Sequence, residues 1–279
     1  MQPPAKHQFR VDPERCIRCG ECVNDCPVNI LVIGEHNPTV AEGREQDCIG
    51  CQHCLAVCPT GAVSVLGLRS ENSYQLDSVG LPSLEQCERL FKGRRSVRRY
   101  LDEDIDPGRI RQLLEFAYHA PSGRNARELS FSVVDNRLVM NRVREQTMEG
   151  LSALAKNNQL PPGFEFFTDI VNGWNTYQAD VLFRWAPHLL VVSAPKDSAS
   201  PEQDGIIALS HFEIAAQCAG IGTLWNGLVK MAVSLIPELP TALSVPDGNL
   251  IVFTMSFGRP EVSYARSAQY ETIPIRIVE

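Results

Sequence analysis

The sequence predicts an α+β chain in two domains, and three observations carry that expectation. A cysteine run, CIRCGECVNDCP, returns 32 positions later as CIGCQHCLAVCP, which is an internal repeat of a small domain. From Asp106 onward, helical periodicity and short apolar strands follow one another without such a repeat. The length of 279 residues is long for a single hydrophobic core.

Each cysteine block reads C-x₂-C-x₂-C-x₃-C-P. In the bacterial two-cluster pattern the first three thiolates of a run hold one iron–sulfur cube and the fourth crosses to the other. On that reading one [4Fe-4S] cluster takes Cys16, Cys19, Cys22 and Cys58, and the second takes Cys48, Cys51, Cys54 and Cys26. Two-residue gaps let the chain wrap a soft metal–sulfide cube, and Pro27 and Pro59 turn it away after the last ligand. Structural zinc and a disulfide framework are the alternatives. Zinc sites usually separate two CxxC pairs by longer gaps, and a disulfide fold implies a secreted chain, so the doubled pattern favours clusters.

Composition narrows the remaining classes. A net charge of −7 and a pI near 5.5 argue against nucleic acid or an anionic membrane as main partner. The opening MQPPAKHQFRVDPER has no apolar core of a secretory leader, and no apolar run approaches the roughly 18 residues of a membrane span. Thiols committed to clusters must stay reduced, which implies a cytoplasm, and one poor in oxygen. Of the two remaining cysteines, Cys218 is expected as a small core residue of a helix and Cys87 as a linker thiol.

Taken in order, Phe9 and Val11 alternate as a first short strand, and each cysteine run opens a short helix. After each Cys-Pro, Ile30–Ile33 and Ala62–Leu66 are expected as strands pairing across the pseudo-twofold repeat. Residues 5–68, with both Cys-Pro endings and the continuation CPTGAVSV, resemble a bacterial-type two-cluster ferredoxin. His53 lies between two ligands but eight thiolates already suffice, so a surface position near a cluster is expected. The stretch 69–88 mixes Ser, Asn, Asp, Gly and Pro and reads as a linker between a domain over 1–68 and another over 89–279.

The second domain opens with Arg94, Arg95, Arg98 and Arg99 within six residues. Like charges at helical spacing repel, so such a cluster wants an anion or solvent. A phosphate group suits it better than nucleic acid in an acidic chain, and a solvated basic face is the competing reading. Asp106-Pro107 then makes an N-cap and first helical position, followed by Ile110, Leu113, Leu114 and Ala117 at helical spacing. The loop APSGRNARELSF, the segment FRWAPHLLVVSA, the helix DGIIALSHFEIAAQCAGIGTLWNG and the strand LIVFTMSFGRP complete the series. In that helix Ile206, Leu209, Ile214 and Ala215 are expected to be buried, with Gly220 as the C′ glycine.

In this order and spacing, RRSVR, a helix, APSxxN, R-x-A-P and GIGTLW resemble the nitroreductase family of FMN flavoproteins over residues 90–279. The resemblance implies a nitroreductase-like mixed sheet flanked by helices behind the ferredoxin-like domain. It also implies an obligate homodimer with terminal segments wrapped around the partner. Carried over residue by residue, Arg94, Ser96 and Arg98, with the adjacent Arg95, fall on the segment that binds the FMN phosphate and ribityl chain. Pro121, Ser122, Gly123 and Asn125 fall on the loop that reaches the flavin from the other subunit. The turn from Thr223 through Leu224, Trp225 and Asn226 to Gly227 falls along the isoalloxazine, with backbone donors. Arg266 falls where relatives place a second basic residue on the phosphate, against a reading as an ordinary surface arginine.

The chain departs from the family where Arg127, Glu128 and Leu129 replace a Gln-Pro-Trp continuation. Residues 150–180 are expected as a helical flap, with Phe166, Phe167, Trp174 and Tyr177 either lining a pocket or packing. His119, His188 and His211 are candidate acids, with core or surface roles competing. The lack of a G-x-G-x-x-G after a strand removes a Rossmann fingerprint but not transient NAD(P)H binding.

The function implied is an FMN-dependent oxidoreductase fed through two [4Fe-4S] clusters by a low-potential donor, ferredoxin-like or NAD(P)H, and reducing a nitroaromatic, quinone or activated alkene. No side chain is expected as an indispensable acid or nucleophile. An electron-transfer or redox-sensing subunit for a protein partner, and a dehalogenase or dehydrogenase on the same fold, are the rival readings.

Overall fold

The computed structural model describes residues 8–76, 80–270 and 273–278. The chain divides into two compact units, Met1–Leu81 with Arg124–Ala126, and Pro82–Gly123 with Arg127–Glu279. The start of the expected lead-in, residues 1–7, lies outside the described residues, as do 77–79 of the linker and 271, 272 and 279 of the tail.

The first unit runs β1 (Arg10–Val11), α1 (Glu21–Asn24), β2 (Leu31–Ile33), β3 (Pro38–Val40), α2 (His53–Ala56), β4 (Val63–Val65) and β5 (Leu68–Arg69). Both helices sit inside a cysteine run, as expected, and each starts after a left-handed residue, Gly20 at φ 80° and Gln52 at φ 63°. The expected strands form, with a different pairing. β2 pairs antiparallel with β3, closed where the Gly34 amide donates to the Asn37 carbonyl at 3.1 Å, and β4 pairs with β1 and β5. The tight hairpin gives β2 a neighbour four residues away, so it does not need β4. Ile30, Leu31, Leu55, Val63 and Val65 close the core with Cys22 and Cys26.

The expected linker is shorter than 69–88. Its first residues complete the first unit, where the Ser70 hydroxyl donates to the Gly61 carbonyl at 2.8 Å. Its last residues already belong to α3 (Leu84–Gly93), because Ser83 and Gln86 form a capping box that satisfies orphan amides reciprocally. Cys87 is therefore a half-buried helical residue.

The second unit continues with α4 (Pro107–Tyr118), β6 (Ser130–Val134), α5 (Arg137–Lys156), α6 (Phe167–Tyr177), β7 (His188–Pro195), α7 (Pro201–Cys218), β8 (Gly222–Trp225), α8 (Gly227–Leu235), α9 (Glu238–Ala242) and β9 (Asn249–Gly258). Its sheet has the order β6-β7-β9-β8 with antiparallel ladders, and Ser96 is joined to Thr223 of β8 by an isolated parallel bridge. Side chains of β7 alternate between two cores, as a doubly covered strand must. Leu190 and Val192 pack with α4 and α7, while Leu189 and Val191 pack with α5, α6 and α8.

Asp106 caps α4 by accepting from the Arg109 amide at 3.0 Å, with Pro107 in the first turn. Gly220, at φ 69°, ends α7 in a Schellman motif: its amide donates to Gln217 and that of Ile221 to Ala216. The buried face of α7 is rotated from the expected one. Leu209 is buried with Gly205, Ala208, Phe212 and Ala216, whereas Ile206 is 40% exposed and Ile214 and Ala215 are half-buried. Cys218 is exposed rather than in the core. The close approach is set by Gly205, where an added Cβ would lie 2.6 Å from Val252 of β9. Residues 150–180 are anchored to the core by Leu151, Phe167 and Val171, with Trp174 packed against it, while Phe166 and Tyr177 are exposed. The Phe166 and Phe167 rings lie tilted with centroids 4.5 Å apart, and Trp174 meets Trp185 at 5.9 Å.

Candidate functional site

In the first unit the eight block cysteines line two cavities. One is bordered by Cys16, Cys19, Cys22 and Cys58, the other by Cys26, Cys48, Cys51 and Cys54. These are the crossed sets that the repeat implies. The remaining walls are largely apolar, with Val11, Ile17 and Val63 around the first and Phe9, Ile30, Leu31 and Val65 around the second; Thr60 borders the first, and Gln52 and His53 the second. No three Cys, His, Asp or Glu side chains among the described residues converge as a single ion requires. Sulfurs spaced round a cavity suit a cube whose irons each take one thiolate.

Electrostatics agree with that fit. Burial, with the neighbouring Cys51, pushes the Cys54 thiol up to about 12, and burial with Cys58 raises Cys22. Clustered buried thiolates repel one another and need cations between them. Cys58 differs. Burial opposes its ionisation, yet the amides of Ala62 and Val63 and the Thr60 hydroxyl hold it below the ordinary thiol value. His53 opens α2 beside Cys54 and is exposed.

In the second unit the basic segment is ordered by β8. The Val97 amide donates to the Thr223 carbonyl at 2.8 Å, and at Gly222 an added Cβ would fall 2.5 Å from Val97, so only glycine allows this approach. Arg94 Nη1 donates to Oε1 of Glu213 at 3.1 Å, and the Thr223 hydroxyl donates to the same oxygen at 3.1 Å. Arg94 and Thr223 thus meet on a buried carboxylate of α7, and Ser96 is joined to Thr223 by a parallel backbone bridge. Arg95 borders a separate cavity of about 460 Å³ with Gly220, Gly222, Pro260 and Tyr264. Arg98 is exposed and donates to the Ser96 carbonyl at 3.3 Å, and Arg266 is exposed.

The loop 120–127 is held by α7 and by its own arginine. The Gly123 amide donates to Asp204 Oδ1 at 2.8 Å, and the Arg127 amide donates to the Ser122 hydroxyl at 3.2 Å. Pro121 is exposed. Asn125 groups with the first unit. Arg127 reaches back to the end of α4, donating through Nη1 to the Tyr118 carbonyl at 2.5 Å and that of Ala120 at 3.0 Å. The cation in the glutamine's place therefore closes a helix C-terminus, where carbonyls carry negative partial charge.

The segment expected as a turn, Thr223 to Gly227, is mostly strand. Leu224 and Trp225 pair with Ser256 and Met255 in β9, because the Schellman ending of α7 leads directly into the sheet. Asn226 is spent internally: its Nδ2 donates to the Leu182 carbonyl at 2.8 Å and to Ser256 Oγ at 2.9 Å, and its Oδ1 caps α8 at the Val229 amide. Its own amide donates to Thr254. That leaves the amides of Gly227 and Leu228, the first of α8, without an acceptor inside the helix.

Sequence reasoning missed Glu213 and Asp204. Both are acidic residues on the buried face of α7, at 204, 208, 212, 213 and 216. An acid placed on an apolar helical stripe was the available signal. Among the histidines, His211 is exposed and His119 ends α4. His188 is buried, accepting the Ile105 amide at Nε2 (2.9 Å) with Nδ1 3.2 Å from the Val134 carbonyl, a structural role.

Comparison with known proteins matches this division. Residues 91–259 match the nitroreductase family and residues 5–62 the 4Fe-4S dicluster domain. A provisional NADH dehydrogenase/NAD(P)H nitroreductase of Archaeoglobus fulgidus is 28% identical over 183 residues, spanning 64% of this chain and 87% of that protein. A ferredoxin of Methanothermococcus thermolithotrophicus is 40% identical over 57 residues, 20% of this chain and 92% of the ferredoxin. The crystal structure of a Bacteroides fragilis nitroreductase with bound FMN superposes with a TM-score of 0.57 at 20% identity, covering 69% of this chain and 98% of that one. No helix among the described residues is long and apolar enough to cross a membrane.

Proposed function

This chain belongs to the nitroreductase family and carries a 4Fe-4S dicluster domain, and from that premise we propose an FMN-dependent oxidoreductase that receives electrons through two [4Fe-4S] clusters and reduces a small acceptor such as a nitroaromatic, quinone or activated alkene. The observation that carries the reading is the pair of apolar cavities, each bordered by one crossed set of four cysteines, in the same polypeptide as the nitroreductase unit. When bound, the clusters supply one-electron transfer and the flavin converts it into two-electron delivery.

The chain's own residues hold and orient these groups. Cys16, Cys19, Cys22 and Cys58 hold one cluster, and Cys26, Cys48, Cys51 and Cys54 the other. Arg94 and Ser96 take the FMN phosphate with Arg95, Arg98 and Arg266 adding charge; Glu213 occupies one N–H of the Arg94 fork and leaves the others for the ligand. The amides of Gly227 and Leu228 are the donors available to the ring from the segment around Asn226. Pro121, Ser122, Gly123 and Asn125 approach the flavin of a second copy. No side chain is assigned as an acid or nucleophile.

An uncovered face supports a homodimer. Phe116, Leu113, Ile214 and Cys218 border a groove of about 550 Å³ between α4 and α7, and Phe91 stands 61% exposed beside it. An apolar face of this kind on a soluble-type core calls for a partner surface. Anaerobic purification with iron, labile-sulfide and flavin analysis, followed by bleaching of the flavin band with either a reduced ferredoxin or NAD(P)H, tests the reading. Absence of labile sulfide or of flavin from such material overturns it, and a monomer with full flavin occupancy overturns the dimer.

A further inference from the structure

The two cysteine blocks are offset by 32 positions, so each residue of one has a counterpart in the other. After Cys58-Pro59 stands Thr60; after Cys26-Pro27 stands Val28. The difference reaches a sulfur. Thr60 Oγ1 lies 3.8 Å from Cys58 Sγ, and the Ala62 amide donates to the same atom at 3.2 Å. A ligating thiolate carries no proton, so the hydroxyl is the donor in the loaded protein. Its position is braced, since Arg15 Nε donates to the Thr60 carbonyl at 3.1 Å and the Ser70 hydroxyl to the Gly61 carbonyl at 2.8 Å.

By the crossover, Cys58 serves the set with Cys16, Cys19 and Cys22 rather than its own block. Hydrogen bonds to the sulfurs and solvent exposure both favour the more negative, reduced cluster and raise its potential. Each set has one buried thiol, Cys22 or Cys26, and two half-buried ones, but the fourth is the exposed Cys19 in the first set and a half-buried thiol in the second. Both differences act in one direction.

We propose that Thr60 is a tuning residue that makes the two clusters unequal, the one held by Cys16, Cys19, Cys22 and Cys58 having the higher potential. The first electron from a low-potential one-electron donor then comes to rest on that side. The donor loses one electron and the cluster gains it, with no proton moved and no bond made or broken. The inference rests on the crossed cysteine assignment above.

The test is a potentiometric titration of the anaerobic holoprotein followed by electron paramagnetic resonance, after iron and labile sulfide have been measured. Thr60→Val should lower one of two couples by about 59 mV, a tenfold change in its reduced-to-oxidised ratio, and leave the other in place. Thr60→Ser should retain the wild-type value. Val28→Thr should raise the other couple and narrow the gap. Two equal couples in the wild type, or a fully loaded Thr60→Val with both couples unmoved, overturn the proposal. Should Thr60→Val fail to hold its clusters, an unmoved couple in Val28→Thr overturns it alone. Wild-type protein without labile sulfide defeats the cluster reading itself, an outcome that the iron and sulfide analysis separates before any titration.

Discussion

Arg94 and Thr223, 129 positions apart in sequence, donate to a single oxygen of Glu213, a side chain only 8% exposed. Removing Arg94 leaves that carboxylate with a hydroxyl alone. A hydrogen bond to a charged group contributes about 1.5–3 kcal/mol, so Arg94→Ala should lose stability on that scale in urea unfolding. It should also release flavin on dialysis. Glu213→Gln keeps an acceptor for Thr223 but frees the guanidinium, so it should loosen flavin with a smaller loss of stability. Stoichiometric flavin in dialysed Arg94→Ala would count against the phosphate assignment.

A second buried pair organises the approach to β7. Arg144 Nε sits 2.7 Å from Asp180 Oδ2, with side chains 3% and 0% exposed, and the same carboxylate accepts the amides of Phe183 and Trp185. Arg144 Nη2 also donates to the Ala186 carbonyl at 3.1 Å. Asp180→Ala strands a buried cation and two amides together. The expected loss is about 3–5 kcal/mol, read as a lower denaturant midpoint with an unchanged slope.

His188 predicts the pH dependence of stability. Burial lowers its pKa below the ordinary imidazole value, against the opposing pull of the Val134 carbonyl and of Asp104 and Asp135. The unfolded chain therefore binds the proton at a higher pH, near 6.5, than the folded one. The stabilisation is complete above that pH and is lost as pH falls below it. Unfolding free energy should decline between about pH 7.5 and 5.5, and His188→Leu should flatten that slope while lowering the whole curve. An identical slope in the variant would assign the acid sensitivity to other groups.

Arg127 gives a more local expectation. Its guanidinium satisfies two carbonyls at the end of α4 and lies 5.7 Å from the Tyr118 ring centroid. Charge at a helix C-terminus contributes about 0.3–1 kcal/mol, rising towards 2 where partly buried. Arg127→Ala should cost about that much by thermal unfolding, and Arg127→Gln should recover only part of it.

What the sequence made legible was whatever local chemistry decides. The cysteine repeat implied the crossed sets that line the two cavities, and Asp106-Pro107 and Gly220 marked helix ends where they occur. The strands β7 and β9 stood out as apolar runs. What stayed hidden depends on partners distant in sequence. The burial of α7 turns on Gly205 meeting Val252, which no helical spacing reveals, and so Ile206 was misplaced. The family resemblance implied a turn over Thr223 to Gly227, yet β9 supplies the ladder that makes its first three residues a strand. The cations that pair with Asp180 and Glu213 come from 36 and 119 positions away, a separation no local pattern encodes.

The separation of cores bears on the electron route. Leu55, Val63 and Val65 close the first unit around its cysteines, while the cores that sandwich β7 draw only on residues of the second. Losing one ligand of the second cysteine set should therefore disturb the first unit without opening the sheet of the second. Cys51→Ala is expected to keep stoichiometric FMN and a thermal transition for the second unit, while anaerobic bleaching of the flavin by reduced ferredoxin slows sharply. If NAD(P)H delivers hydride directly to the flavin, its bleaching rate should be unaffected by the same change, so the ratio of the two rates reads the route. Reduction by ferredoxin at the wild-type rate would show that the clusters stand outside the path.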